Sequence, residues 1–216
     1  GVSTIEIDQL GEEFIRNKGA EPSFKGYRGY PASVCTSINE EVVHGIPSEN
    51  RVLEDGDIIS LDIGAVYKGF NGDAARTFAV GEVDNKIEKL IEVTRESFYK
   101  GIEKAVPGNR LTDISHSIQK YVESNKFSVV REYVGHGIGT SMHEDPQIPN
   151  FGPPGRGPTL KAGMTLAIEP MVNIGKFEVE TLDDGWTVVT KDRSLSSHYE
   201  NTIAITEEEP LILSKV

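Results

Sequence analysis

Apolar residues recur at helical spacing in three segments of the chain. The first segment follows Ser3-x-x-Glu6, a capping box, and the second runs from Asn85 to Pro107-Gly108, which ends it. The third begins near Thr112. The apolar positions are Ile7, Leu10, Phe14 and Ile15, then Ile87, Leu90, Ile91, Phe98, Ile102 and Ala105, then Leu111, Ile114, Ile118 and Val122. This spacing predicts three helices, each with its apolar residues on one side, the second of them covering Asn85 to Val106.

Runs with strand-like patterning lie between and after these segments. They are Ile58 to Ala65, Thr77 to Val80, Met164 to Ile168, Thr187 to Thr190 and Thr202 to Ile205. The mixture predicts an α+β fold with substantial antiparallel sheet. The segment from Pro146 to Pro158 is rich in proline and glycine, which indicates a loop.

One pattern occurs twice. Leu53-x-x-Gly56-x-x-Ile59-x-Leu61-Asp62 reappears as Leu160-x-x-Gly163-x-x-Leu166-x-Ile168-Glu169. The tripeptides His44-Gly45-Ile46 and His136-Gly137-Ile138 precede the two copies. We interpret this as an internal duplication, approximately 44–62 and 136–169, within a single domain spanning 1–216. Two similar halves would direct their terminal carboxylates toward a common axis.

Composition narrows the functional classes. The 216 residues carry a formal net charge of −12, which disfavours nucleic-acid binding through a broad basic surface. No apolar run approaches the roughly 18 residues that span a bilayer, and the first residues do not resemble a signal peptide. Cys35 is the single cysteine, which excludes an internal disulfide and fits a reducing, cytoplasmic location.

Asp62 and Asp73 flank a turn near Tyr67-Lys68-Gly69. A two-residue turn at Tyr67-Lys68 would place the two aspartates opposite each other, and a turn at Lys68-Gly69 would make them diagonal neighbours on one face. Like charges in either arrangement favour a bound cation or a shared proton. The alternative is a solvated hairpin.

Three further residues can complete a metal site. Glu169 ends the second repeated strand, Glu200 precedes the strand that starts at Thr202, and His136 lies in a glycine-rich run. Four carboxylates and one imidazole suit manganese, iron, cobalt or zinc, and four negative charges balance two such cations. A water between them could ionise near neutral pH, which predicts a hydrolase.

The other histidines fall into two groups. His44 and His143 are candidates for contacting a scissile amide or an oxyanion, whereas His116 and His198 are interpreted as structural. No HExxH motif, Walker loop or Gly-x-Ser-x-Gly elbow occurs.

The residues that carry these patterns resemble type I methionine aminopeptidases of metallopeptidase family M24, which have the pita-bread fold. The likeness runs from about Thr4 to Leu213. Its strongest segments are 27–35 (YRGYPASVC), 39–47 (NEEVVHGIP), 135–139 (GHGIG), 168–172 (IEPMV) and 184–188 (DGWTV). The implied fold is a curved antiparallel sheet of pseudo-twofold halves, with helices outside.

The resemblance implies an activity and a role for each site residue. The activity is removal of the N-terminal methionine from nascent proteins when the second residue is small. Asp62 would bind one metal ion, His136 and Glu169 the other, and Asp73 and Glu200 would bridge them. Glu169 would accept a proton from the bridging water, and His44 and His143 would contact the substrate. The pocket for the methionine side chain would comprise Tyr27, Tyr30, Cys35, Met142 and Trp186.

The resemblance also sets expectations about the chain's extent and partners. Members of the family normally carry roughly 35 to 40 residues before the point where this chain begins, so we expect a truncated chain of the short bacterial form. A monomer with transient ribosome contact is implied. The alternatives are an Xaa-Pro aminopeptidase or prolidase, a non-catalytic binding protein on the same scaffold, and a dinuclear phosphoesterase.

Overall fold

The computed structural model describes residues 1–215. The helices are α1 Thr4–Asn17, α2 Asn85–Ile102 and α3 Leu111–Ser124, with a 3-10 turn at Tyr27–Gly29. The strands are β1 Glu21–Pro22, β2 Val34–Ile38, β3 Glu41–Val43, β4 Ile58–Tyr67, β5 Phe70–Ala79, β6 Ser128–Val129, β7 Gly135–Gly137, β8 Glu144–Ile148, β9 Thr165–Ile168, β10 Met171–Asn173, β11 Val179–Thr181, β12 Val188–Thr190, β13 Ser196–His198, β14 Asn201–Ala204 and β15 Leu211–Ile212.

Helix α1 begins at the predicted capping box. The backbone N–H of Ser3 donates to the Glu6 carboxylate at 2.8 Å, which satisfies one of the donors left free at a helix start. The apolar residues of this helix differ in burial: Ile15 is buried, whereas Leu10 and Phe14 are 65% and 64% exposed. Spacing determines which residues share a helix face, but what covers that face depends on the rest of the fold.

Helix α2 ends at Ile102, earlier than the predicted Val106. After Ile102 the chain forms tighter turn bonds, with Ala105 N donating to Ile102 O at 2.9 Å. Gly101 lies so close to Ile118 that an added Cβ would be 2.7 Å from its Cγ1. The point where α2 approaches α3, Gly101, lies one residue before α2 ends at Ile102. The apolar pattern continues beyond the helix, to Ala105 in the turn.

The longest pairing is the antiparallel β4–β5 hairpin, which closes through Lys68 and Gly69, both with positive φ. Strand β4 pairs on its other side with β1 and β2. The second large sheet has the order β15-β14-β9-β7-β8, and two smaller sheets have the orders β13-β10-β6 and β11-β12-β3. The α+β prediction is confirmed.

The largest apolar cluster packs α2 and α3 against the sheets. Phe98 and Leu90 of α2 and Ile114 of α3 are fully buried within it. No helix within residues 1–215 is both long and apolar enough to cross a membrane.

Phe98→Ala should lower the free energy of unfolding by about 3–5 kcal/mol, because it removes a fully buried ring and leaves a cavity between the helices and the sheets. Phe14→Ala makes the same chemical change at an exposed site and should stay within about 0.5 kcal/mol. Urea unfolding followed by circular dichroism measures both. Similar losses in the two variants would contradict this account of the core.

Candidate metal centre

The β4–β5 hairpin brings Asp62 and Asp73 together. Asp62 lies opposite Ala75 and Asp73 lies opposite Gly64, so the two aspartates are diagonal neighbours on one face. This is the arrangement predicted for a turn at Lys68-Gly69, and the directly opposed alternative is wrong. Both positive-φ residues suit the tight hairpin turn that fixes this register.

The second half of the chain adds Glu169, Glu200 and His136. Glu169 follows β9, and Asn150 Nδ2 donates to its carbonyl at 3.0 Å. His136 lies in β7, where its Nδ1 is 2.8 Å from the Gly137 carbonyl and its Nε2 is 3.6 Å from Glu169 Oε1. Ligand atoms of Asp73, His136 and Glu200 lie within 4.8 Å of one another.

Hydrogen bonds between the segments 73–75 and 200–202 position Glu200 beside Asp73. The backbone groups of Ala75 and Glu200 exchange hydrogen bonds of 3.3 and 3.0 Å. Two residues further along, the Thr202 hydroxyl accepts a hydrogen bond from Asp73 N at 2.9 Å and donates one to Asp73 O at 3.1 Å. Arg76 supports this pairing, since its guanidinium donates to the Glu200 carbonyl and to Asn201 Oδ1. These contacts hold β5 and β14 together, although the two strands are far apart in sequence.

Burial and mutual repulsion disfavour the ionised carboxylates in this cluster. Burial raises the pKa of Asp73 to about 7. The pKa values of Asp62, Glu169 and Glu200 lie well above their ordinary range, first because of burial and then because of the neighbouring negative charges. Burying several such groups is costly unless cations or hydrogen bonds compensate.

The donor set fits divalent cations. Asp62 Oδ1 and Glu200 Oε1 are buried without a hydrogen-bond partner, so both oxygens have unused acceptor capacity. Burial lowers the pKa of His136, which keeps its imidazole neutral and able to act as a ligand. Buried carboxylates that lack partners, together with a neutral imidazole, form a site that bound cations would complete.

His44 and His143 flank the carboxylates. Burial lowers the pKa of each to about 4, with nearby positive charge adding to the effect at His143, so both are neutral at physiological pH. The His143 ring lies 4.2 Å from the His136 ring, and its Nδ1 is 2.9 Å from the Tyr27 hydroxyl. Neutral imidazoles at this position can donate a hydrogen bond to a bound carbonyl or accept one from a bound amine.

An apolar recess continues from the carboxylates. The Tyr30 hydroxyl donates to the Gly45 carbonyl at 2.8 Å, and the ring meets Trp186 edge to face at 5.1 Å. Burial raises the pKa of the Cys35 thiol well above its usual range, so Cys35 stays protonated and serves as an apolar wall. This recess and the carboxylate cluster together form a cavity of about 150 Å³.

All twelve residues predicted from the sequence line this cavity. They are Tyr27, Tyr30, Cys35, His44, Asp62, Asp73, His136, Met142, His143, Glu169, Trp186 and Glu200. Their placement is observed, and their individual roles stay predictions. The sequence did not single out Phe24 and Arg28, which also line the cavity. Arg28 lies in segment 27–35, between the predicted pocket residues Tyr27 and Tyr30, and that position was the available signal for it.

The model of metallopeptidase family M24 matches residues 1–207. The chain belongs to this family. It is 64% identical over 214 residues to a methionine aminopeptidase of Clostridium acetobutylicum, with 99% of this chain and 86% of that protein covered. It is 60% identical over 216 residues to methionine aminopeptidase 1 of Bacillus subtilis, with 100% and 87% covered.

Two solved structures agree with the fold described above. Methionine aminopeptidase of Thermotoga maritima matches with a TM-score of 0.98 at 51% identity, covering 100% of this chain and 87% of that one. The prolidase of Pyrococcus horikoshii matches with a TM-score of 0.77 at 23% identity, covering 100% and 55%, which shows a shared fold only. The predicted pita-bread fold is confirmed.

Proposed function

We propose that this M24 chain is a metal-dependent aminopeptidase that removes the N-terminal methionine from nascent polypeptides with a small second residue. One observation carries the proposal: a buried cluster of four carboxylates and a neutral histidine opens directly into an apolar, aromatic recess. The cluster supplies hydrolytic chemistry, and the recess suits an unbranched thioether side chain. The relatives of 60–64% identity, all named methionine aminopeptidases, support the same activity.

The donor set accommodates two divalent cations. Asp62 would hold one of them, His136 and Glu169 would hold the other, and Asp73 and Glu200 would serve both. When bound, such a pair polarises a peptide carbonyl and lowers the pKa of a water molecule held at the site. Manganese, iron, cobalt and zinc all suit these ligands.

The chain's own residues orient the substrate and transfer protons. The Glu169 carboxylate lies 3.6 Å from His136 Nε2 and can take a proton from an attacking water. Neutral His143 donates to the scissile carbonyl oxygen, and His44 contacts the scissile nitrogen. Tyr30, Cys35 and Trp186 hold the methionine side chain in the apolar recess. The proton on Glu169 then passes to the departing amine.

Release of free methionine from a Met-Ala-Ser peptide tests this function directly. Chelation should abolish release, and added manganese or cobalt alone should restore it, because every proposed hydrolytic step needs the carboxylate-bound cations. Liquid chromatography of the products measures release. A folded, metal-loaded chain that frees no methionine would overturn the proposal.

Discrimination by the second residue provides a separate prediction. Met-Gly peptides should be cleaved with a kcat/KM at least about 10-fold above that of Met-Leu peptides, since a bulky side chain next to the scissile bond must fit beside His44 and His143. Competition between the two peptides in one reaction measures the ratio. Equal turnover would contradict the specificity.

An Xaa-Pro peptidase is the nearest alternative activity, and the likeness to the prolidase shows the fold alone. Methionyl and prolyl dipeptides offered in parallel separate the two activities. We further propose that the chain acts as a monomer in the cytoplasm with transient ribosome contact. The single cysteine is compatible with a reducing compartment.

A further inference from the structure

His198 is a buried histidine that the proposed reaction leaves unused. It ends β13 and is only 2% exposed, and its Nε2 has no hydrogen-bond partner. That nitrogen lies 3.9 Å from Glu169 Oε2 and 4.0 Å from Glu200 Oε2. A buried polar atom without a partner is costly, so its position between two carboxylates calls for a physical reason.

The two halves of the fold show that His198 occupies a ligand-like position. Gly56 N donates to Val80 O at 2.8 Å where β4 and β5 meet, and Gly163 N donates to Ile205 O at 2.8 Å where β9 and β14 meet. We take these two bonds as equivalent and count residues from them along each strand. Asp62 follows Gly56 by the same number of residues as Glu169 follows Gly163, so the two carboxylates are equivalent. On the partner strands the same count aligns Ala75 with Glu200, and His198 with Asp73.

Matching hydroxyl groups hold these two positions. Thr202 bonds both backbone groups of Asp73, and Thr77 bonds both backbone groups of His198, accepting from its N–H and donating to its carbonyl at 2.9 Å each. Thr77 and Thr202 are themselves equivalent in the strand count. Thr77 therefore holds the backbone of His198 in the same manner as Thr202 holds that of Asp73.

We propose that His198 is a positioning residue of the metal centre, whose Nε2–H holds the carboxylates of Glu169 and Glu200 in the orientation that binds cations. The inference rests on the proposed function. The imidazole does not line the cavity, so it acts from behind the two glutamates. A small rotation of either glutamate, or one bridging water, converts the present separations of about 4 Å into hydrogen bonds.

Groups that orient metal ligands typically change metal affinity by about 10–100-fold when removed. His198→Ala should therefore weaken Mn²⁺ binding by about 10–100-fold. His198→Gln places an amide N–H near the position of Nε2 and should stay within about 3-fold of the parent chain. His198→Asn directs its amide toward the position of Nδ1 and should weaken binding as Ala does.

Isothermal titration of the chelated, folded proteins with Mn²⁺ alone tests the proposal. The matched control is His116→Ala, which removes a histidine of α3 outside the cavity and should leave affinity unchanged. Thermal melting of the chelated variants verifies that each one is folded. Weak binding by the Ala and Asn variants with rescue by Gln is the expected result.

Two outcomes would overturn the proposal. Parent-like Mn²⁺ affinity in His198→Ala would show that the imidazole does not position the glutamates. Equal losses in the Gln and Ala variants would show that an N–H at the Nε2 position is not what matters. A parent chain that binds no Mn²⁺ would instead contradict the proposed function, so the two failures are distinguishable.

Discussion

The Glu169→Gln variant is expected to bind a Met-Ala-Ser peptide about as tightly as the parent chain and to lose roughly 10³-fold in kcat. The amide has the same shape as the carboxylate and keeps one oxygen for ligation, but it cannot take a proton from water. In the metal-free protein, burial and the Asp73 charge raise the pKa of Glu169 well above its ordinary range.

Two measurements separate proton transfer from metal loss in this variant. Elemental analysis reports how much Mn²⁺ the protein retains, and kcat is then compared at saturating Mn²⁺. Glu180→Gln is the matched control, because Glu180 is an exposed glutamate paired only with Arg193, and its kcat should not change. A fully active, fully loaded Glu169→Gln protein would remove Glu169 from the proton-transfer role.

Three of the proposed metal ligands were predictable because they lie at positions that local sequence rules describe. Gly69 favours the turn that makes Asp62 and Asp73 neighbours, and Pro170 keeps Glu169 extended at a strand end. The repeated Leu-Gly-strand pattern added a reason for the carboxylates to meet. The turn, the proline and the repeat together thus indicated Asp62, Asp73 and Glu169 as candidates.

The tripeptide part of the proposed duplication illustrates the limit of such reasoning. His136 lies in β7 opposite Ala167, whereas His44 follows β3 with a left-handed backbone, φ 61. The equivalent of Ala167 in the first half is Ser60, which faces Ser37 and not His44. The tripeptides therefore do not occupy equivalent strands, although the carboxylate-bearing strands do, and the duplication itself stays a prediction.

The role of contacts across the two halves could not be predicted. Thr77 and Thr202 are ordinary strand residues in the sequence, and their hydroxyls bond residues more than a hundred positions away. His198 was interpreted as structural, because nothing in its sequence neighbourhood indicates that its ring faces two glutamates. Such pairings depend on how the sheets meet, which no local pattern specifies.

Asp73→Asn should reduce kcat/KM by roughly 10³-fold or more, since the variant would lose the charged ligand that we propose both cations share. An amide at this position can still accept from Ala74 N, which now donates to Asp73 Oδ1 at 3.0 Å, so the hairpin should fold normally. Calorimetric titration with Mn²⁺ is expected to show one weak site in place of two. Unchanged stoichiometry and turnover would refute the bridging assignment.

Asp73→Asn should melt above the parent chain when both are metal-free and below it when both are metal-loaded. The pKa of Asp73 is raised to about 7 in the folded chain, above the roughly 3.9 of an unfolded aspartate, so its charge destabilises the metal-free fold increasingly as pH rises from about 4 to 7. At pH 8 the chelated variant should therefore melt above the chelated parent, and the difference should vanish near pH 4. With excess Mn²⁺ the parent should melt higher, because tighter binding to the folded state stabilises it more. Asp183→Asn, at an exposed aspartate, should show neither effect. If the variant melts below the parent in both states, Asp73 stabilises the fold even without metal. That result would contradict the idea that the carboxylate cluster destabilises the metal-free fold and that cation binding relieves this effect.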